Sequence, residues 1–224
     1  MKITVNNKNI EVAEGAILED VIKKHFKEKN IVAANVDNVL RDLSDSVVNN
    51  SNIELVTTGQ KDGLDILRHT CAHIFGHAIK QIYPDVKMVI GPVIENGFYY
   101  DILSETPITE KDLALIENRM RKLVKKNYAI KREVVPKEQA IAIFEERKEH
   151  YKVELLKEIS EKEIIAIYNH EEYMDMCRGP HLTNTKHIKA FKLMKTSGLV
   201  FRVTFPIRAR SFHKLKSFYM FCIS

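Results

Sequence analysis

Arg68-His69-Thr70-Cys71-Ala72-His73-Ile74-Phe75-Gly76-His77 places three histidines at successive intervals of four, the spacing that stacks side chains in one row on an α-helix. The flanking residues agree with a helix. Leu67, Cys71, Ile74, Ala78 and Ile82 recur as an apolar stripe, so a helix is predicted from about Leu64 to Tyr83, with Pro84 as its stop. At roughly 100° per residue, His69 and His73 point away from that stripe and His77 lies nearer its edge. Histidines that merely filled a core would share the stripe. A row outside it is either solvated or part of a site.

Moving toward the C-terminus, Val86 to Ile94 and Phe98 to Ile102 flank Asn96-Gly97, a dipeptide that accepts positive φ and signals a hairpin. A helix is predicted after Pro107, with Thr109 as N-cap and Leu113, Ile116, Met120, Leu123 and Val124 facing inward. Residues 129–135 alternate as a strand. A helix near 137–148 and strands near 151–156 and 163–168 then lead into the loop Asp175-Met176-Cys177-Arg178-Gly179-Pro180-His181. The mixture reads as an α+β unit without repeats or low-complexity segments.

Moving toward the N-terminus, residues 2–5 and 9–12 alternate around Asn6-Asn7-Lys8, Ile17, Leu18, Val21, Ile22 and Phe26 recur at helical spacing, and residues 31–36 and 53–56 read as strands. This order is that of a ubiquitin-like β-grasp. The polar, glycine-bearing run Thr57 to Gly63 is the natural boundary, which divides the chain into 1–60 and 61–198.

Composition limits the alternatives. With 224 residues and 45% hydrophobic content, the chain can fill two modest cores. No apolar run reaches the roughly 20 residues of a membrane helix, so no membrane partner is expected. The start lacks the apolar segment of a signal peptide and three cysteines cannot all pair internally, which together favour a reducing cytoplasm. A net charge of +5 tolerates a polyanion without requiring one. Arg119, Arg121, Lys122, Lys125, Lys126, Lys131 and Arg132 concentrate the positive charge; a solvated helix face is the plain reading of that cluster.

Cys177-x-x-x-His181, held in a loop by Gly179-Pro180, adds a thiol and a fourth imidazole to the helical row. His69, His73, Cys177 and His181 together are a donor set of the kind zinc takes, although a loop cysteine and histidine at this spacing are also a common coincidence.

Longer motifs go further. His69-Thr70-Cys71-Ala72-His73, Lys80-Gln81-Ile82-Tyr83-Pro84, Ile90 through Asp101, His170 through His181 and Phe191-Lys192-Leu193-Met194-Lys195 resemble, in order and spacing, the N-terminal part of bacterial threonyl-tRNA synthetases. The resemblance covers residues 1 to about 198. It implies a TGS domain over the first 60 residues and an editing domain after it, shared more distantly with alanyl-tRNA editing proteins. The implied activity is hydrolysis of the ester in threonine tRNA mischarged with serine, at a cleft that receives the acceptor end of the tRNA. The family's site residues fall on His69, His73, Tyr100, Lys152, Asp175, Cys177 and His181. His73 is expected to position or deprotonate water, Lys152 to hold the water or offset oxyanion charge, and Tyr100 and Asp175 to recognise substrate; His77 is grouped with them as a substrate-side residue. The resemblance also favours a site without metal over the zinc alternative. After Ser197-Gly198 the sequence departs from the family, and residues 199–224 read as an unrelated tail, as from a shifted frame or truncation. The expectations that follow are no ATP binding, no aminoacylation and a monomer, with a non-catalytic tRNA-binding module or an inactive product as the competing readings.

Overall fold

The computed structural model describes residues 1–161 and 163–197, together with the backbone of Leu215–Ile223. At the N-terminus, β1 (Lys2–Val5) and β2 (Lys8–Glu11) pair antiparallel across Asn6 and Asn7, both at positive φ as a tight hairpin turn requires. Helix α1 (Leu18–His25) follows, then the hairpin β3 (Ile31–Val36) and β4 (Val39–Arg41). β5 (Asn52–Thr57) returns parallel to β1 and antiparallel to β3, which gives a five-stranded mixed sheet in the order β2-β1-β5-β3-β4. Leu18, Val21 and Ile22 of α1 bury against Ile3, Val5 and Ile53 of this sheet.

Helix α2 (Lys61–Ile82) begins almost at once. The run from Thr57 to Gly63 therefore is not a loop throughout: the Gln60 side chain accepts a hydrogen bond from Thr57 N at 2.7 Å, turning the chain tightly, and Gly63 already lies within the helix. The helix is buried on nearly every side, because the N-terminal sheet, the strand Gly97–Leu103 and the helix Leu113–Lys125 all pack on it.

The expected strand Val86–Ile94 is broken in two. β6 (Lys87–Ile90) and β7 (Val93–Ile94) both pair with β8 (Gly97–Leu103), but a register shift after Met88 and the Gly91-Pro92 step separate them. Proline supplies no ladder donor, and Pro92 contributes only its carbonyl, which accepts from Tyr99 N. Thr109 caps a short 3-10 turn, Glu110–Asp112, by a reciprocal capping box, and α3 (Leu113–Lys125) continues from it with Ile116, Met120 and Leu123 buried.

β9 (Lys131–Val135), β10 (Ile165–His170) and β11 (Tyr173–Met176) form an antiparallel three-stranded sheet, with α4 (Lys137–Glu146) and α5 (His150–Glu158) inserted between β9 and β10. Helix α5 corrects the strand expected near 151–156. Tyr151, Val153 and Leu155 alternate, but Lys152, Val153 and Leu156 are the residues that bury, and that spacing is helical. Val153 and Leu156 pack with Ala140 and Phe144 of α4, so tertiary packing chose between two periods the sequence allowed.

β12 (Ala190–Ser197) and β13 (Leu215–Ile223) complete the third sheet, in the order β12-β13-β8-β6. Within the tail at 199–224, β13 thus pairs between β12 and β8, and the remainder lies outside the described residues. The observed architecture is α+β, as expected. Its largest core gathers Ile74, Phe75 and Phe98 with Val32, Ala33 and Val56 of the N-terminal sheet, so the two parts of the chain share buried surface.

Candidate active site

Helix α2 carries His69 and His73 one turn apart, and the segment after β11 brings Cys177 and His181 to them. The donor atoms of these four side chains all lie within 4.8 Å of one another. Ring centroids of His69 and His73 lie 4.1 Å and 4.0 Å from that of His181. His73 and His181 are buried, whereas His69 and Cys177 are half-buried, so the group meets solvent on the side those two occupy.

The hydrogen bonds assign the protons. Thr70 Oγ1 donates to Ile66 O at 2.9 Å, which leaves its lone pairs to accept from Leu182 N at 3.1 Å and from His181 Nδ1 at 3.0 Å. With its proton on Nδ1, neutral His181 presents Nε2 as an acceptor to the Cys177 thiol 3.0 Å away. Burial, followed by the Asp175 charge, pushes that thiol up, so it remains a donor. Burial also keeps the imidazoles neutral: His69 is lowered to about 4 and His170 to about 3, and His73 and His181 lie well below the usual histidine range. The Asp175 charge acts the other way on His69 and His73.

Asp175 forms the second half of the site. Its Oδ1 lies 2.9 Å from Lys152 Nζ and accepts from Met176 N at 2.8 Å, while Oδ2 accepts from the Tyr173 hydroxyl at 2.8 Å and the Tyr100 hydroxyl at 3.1 Å. Lys152 also contacts Glu149 at 2.6 Å. Burial alone would raise Asp175 and lower Lys152, but their pairing reverses both: Asp175 is held far below the ordinary carboxylate range and Lys152 is raised, with Glu149 adding to the latter. Lys152 is therefore a fixed buried cation.

Two glycines make room for this arrangement. A side chain at Gly76 would collide with the Tyr173 hydroxyl, and one at Gly179, which also has φ +69, with the Tyr168 hydroxyl. Tyr168 in turn lies with its ring centroid 4.3 Å from that of His181.

Seven of the eight residues singled out in the sequence thus converge. His77 does not join the four-donor group. It stacks on Tyr173 and places Nε2 2.8 Å from Glu172 Oε1, with Nδ1 3.4 Å from the Tyr128 hydroxyl. That hydroxyl is 3.3 Å from His170 Nδ1. His73 Nδ1 and His170 Nε2 find no hydrogen-bond partner among the described residues. Sequence reasoning missed Thr70, Glu149, Tyr173 and His170. Thr70, Tyr173 and His170 stand inside the quoted motifs and could have been found there; Glu149 carries no signal of its own.

The basic cluster disperses in three dimensions. Arg121 pairs with Glu117, Lys126 with Glu171 and Arg132 with Asp45, at 2.8, 2.6 and 2.6 Å, which favours the plain reading of that helix face.

The threonyl and alanyl tRNA synthetase second additional domain matches residues 165–199, the segment that supplies β10, β11 and the Cys-His loop. The threonine--tRNA ligase of Psychrobacter cryohalolentis is 51% identical over 174 residues, 78% of this chain and 27% of that protein. That of Prochlorococcus marinus strain MIT 9515 is 46% identical over 204 residues, 90% of this chain and 32% of that protein. The chain spans between about a quarter and a third of the length of these curated relatives. Over that shared length it is homologous to the threonyl-tRNA synthetase family, and it carries the second additional domain that the threonyl and alanyl enzymes have in common.

Proposed function

We propose that this chain is an editing hydrolase: it cleaves the ester of threonine tRNA mischarged with serine, with residues 61–198 as the editing domain and residues 1–60 as a TGS domain. The observation that carries the proposal is the meeting of His69, His73, Cys177 and His181 beside the Lys152–Asp175 pair.

In this reading the acceptor end of the tRNA enters on the half-buried side of His69 and Cys177. A small depression lined by Lys80, Lys87, Lys148, Glu149 and His150 lies on the flank of Lys152 and concentrates positive charge there, which suits an approaching phosphate backbone. His73 takes a proton from the attacking water; burial keeps its imidazole neutral beforehand, and the nearby Asp175 charge stabilises the imidazolium formed. The water oxygen bonds to the ester carbonyl carbon, Lys152 offsets the oxyanion charge, and the ester carbon–oxygen bond breaks with the proton returned to the ribose oxygen. Serine and uncharged tRNA leave. Tyr100 and Asp175 orient the terminal adenosine or the amino acid, and threonine is disfavoured by its extra methyl, a difference worth about 1–3 kcal/mol in a close pocket.

The four donor groups are of the kinds zinc accepts, and His69, His73, Cys177 and His181 would hold it; with all four bound a tetrahedral ion is closed, and it would activate water only where one of them gave up its place. We favour hydrolysis without metal, because neutral His73 can take the proton and Lys152 can offset the oxyanion charge, so neither role needs an ion. Elemental analysis of the purified chain decides this point: stoichiometric zinc that is lost in Cys177→Ser contradicts it. The cytoplasmic setting is part of the same proposal and rests on the free thiols Cys71 and Cys177.

The test of function is specificity. Incubation with seryl- and threonyl-charged threonine tRNA should release serine faster than threonine by roughly tenfold or more, the discrimination one methyl group provides. Equal release of both amino acids, or binding with no release, rejects the editing reading.

A further inference from the structure

Asp42 follows β4 in the N-terminal sheet, far in sequence from every residue of the site, and it is 5% exposed. No lysine or arginine pairs with its carboxylate among the described residues. Four hydrogen bonds hold it instead. Oδ1 accepts from Ser44 N at 3.0 Å and from the Ser44 hydroxyl at 2.8 Å, both within its own loop. Oδ2 accepts from His181 N at 3.2 Å and from the Tyr168 hydroxyl at 3.2 Å, both in the part of the chain that builds the site.

These last two donors define the geometry around His181. The first fixes its backbone, and the second fixes the ring that packs against its imidazole and against which Gly179 closes. The Tyr168 hydroxyl is pushed up by burial and then by the Asp42 charge, so it stays a donor. Two further contacts hold the junction in register: Arg132 pairs with Asp45 at 2.6 Å, and the Thr183 hydroxyl donates to Glu19 at 3.0 Å. A buried carboxylate bonded only by neutral donors is costly to place without those donors, so its presence ties the two parts of the chain together.

We propose that Asp42 is a positioning residue of the hydrolytic site: the N-terminal sheet supplies the carboxylate that sets His181, and through His181 the Cys177 thiol, against His69 and His73. The hydrolytic consequence rests on the proposed function, whereas the positioning does not, and one experiment on the whole chain separates them. Iodoacetamide alkylation of Cys177 is followed by peptide mass, alongside kcat and KM for serine release from seryl-tRNA, in the wild type, Asp42→Ala, Asp42→Asn and Tyr168→Phe.

Losing His181 as its acceptor should free the half-buried thiol. Asp42→Ala is expected to speed Cys177 alkylation about tenfold or more and to lower kcat by a similar factor with KM nearly unchanged, as removal of a buried charge-assisted hydrogen bond implies. Asp42→Asn, whose single carbonyl oxygen can still accept from His181 N and Tyr168, should recover part of both. If Asp42→Ala does not fold, Tyr168→Phe carries the test, because it deletes one hydroxyl and keeps the ring; faster alkylation and lower kcat in that variant support the proposal. Unchanged alkylation and unchanged kcat in the folded variants overturn it. Should the wild type release no serine, the editing reading fails, and the alkylation rates alone then uphold or overturn the positioning role.

Discussion

Lys152 shows how much of the site is decided by single charges. Its ammonium sits between Glu149 and Asp175, and all three side chains are at most 11% exposed. Replacing it with methionine leaves two buried carboxylates facing each other without a counter-ion. Removal of one partner from a buried ionic group costs about 3–5 kcal/mol. Lys152→Met should therefore lose roughly that much stability in urea denaturation; a loss under about 1 kcal/mol would show that the carboxylates are solvated rather than dependent on the lysine. The imidazoles give a pH signature of their own. His69 is lowered to about 4 and His170 to about 3 from an ordinary 6.5, first by burial. Between those values the unfolded chain binds protons that the folded chain refuses, so stability rises with pH across the window and is lost as pH falls from about 6.5 toward 4 and 3. Unfolding free energies at pH 7 and pH 5 should show a less stable protein at pH 5, and His170→Gln should narrow the difference. Equal stability at the two values would mean that the imidazoles are not buried neutral.

At the level of single elements, α2 carries the strongest constraint. Gly76 lies in its interior, where alanine would ordinarily favour the helix by about 1 kcal/mol. Here the added methyl meets the Tyr173 hydroxyl, whose hydrogen bond holds Asp175. Overpacking costs typically 1–3 kcal/mol, so the collision should outweigh the propensity and Gly76→Ala should lower the thermal midpoint; a raised midpoint would show that Tyr173 moves aside freely. Much of this level was legible in the sequence. The histidine spacing, the Thr109 cap and the Asn6-Asn7 turn each specify their geometry locally, and the structure places helix, cap and hairpin where those residues direct. Helix α5 was not legible, because Tyr151, Val153 and Leu155 satisfy a strand as well as a helix, and only packing on α4 and the salt bridge of Lys152 with Asp175 choose the helix. The split of the strand at Gly91-Pro92 follows from the proline, which has no N–H to give the ladder.

For the molecule as a whole, the N-terminal sheet and the rest of the chain share Val32, Ala33 and Val56 in one core. A shared core of this kind should unfold with its neighbours. Calorimetry of the whole chain is expected to give a single transition; two resolved peaks would mean that residues 1–60 are thermodynamically independent. The meeting of α2 with the Cys-His loop was legible through the quoted motifs, since their resemblance to one family placed both in one cleft. The part played by Asp42 was not, because an aspartate after a short strand carries no local mark of a partner more than a hundred residues away. Charge patterning pointed to the plain outcome, a solvated face, but not to its partners: Arg121, Lys126 and Arg132 find Glu117, Glu171 and Asp45 only after folding.

In the proposed mechanism His73, buried and neutral among His69, His170 and His181, takes the proton of the water that cleaves a seryl ester. Serine release from seryl-charged threonine tRNA, measured in single turnover for the whole chain and for His73→Ala, tests it most directly. Release by the wild type and a fall of about 10²–10⁴ in the variant, the contribution of a general base, are expected. A folded His73→Ala protein that releases serine at the wild-type rate would contradict it.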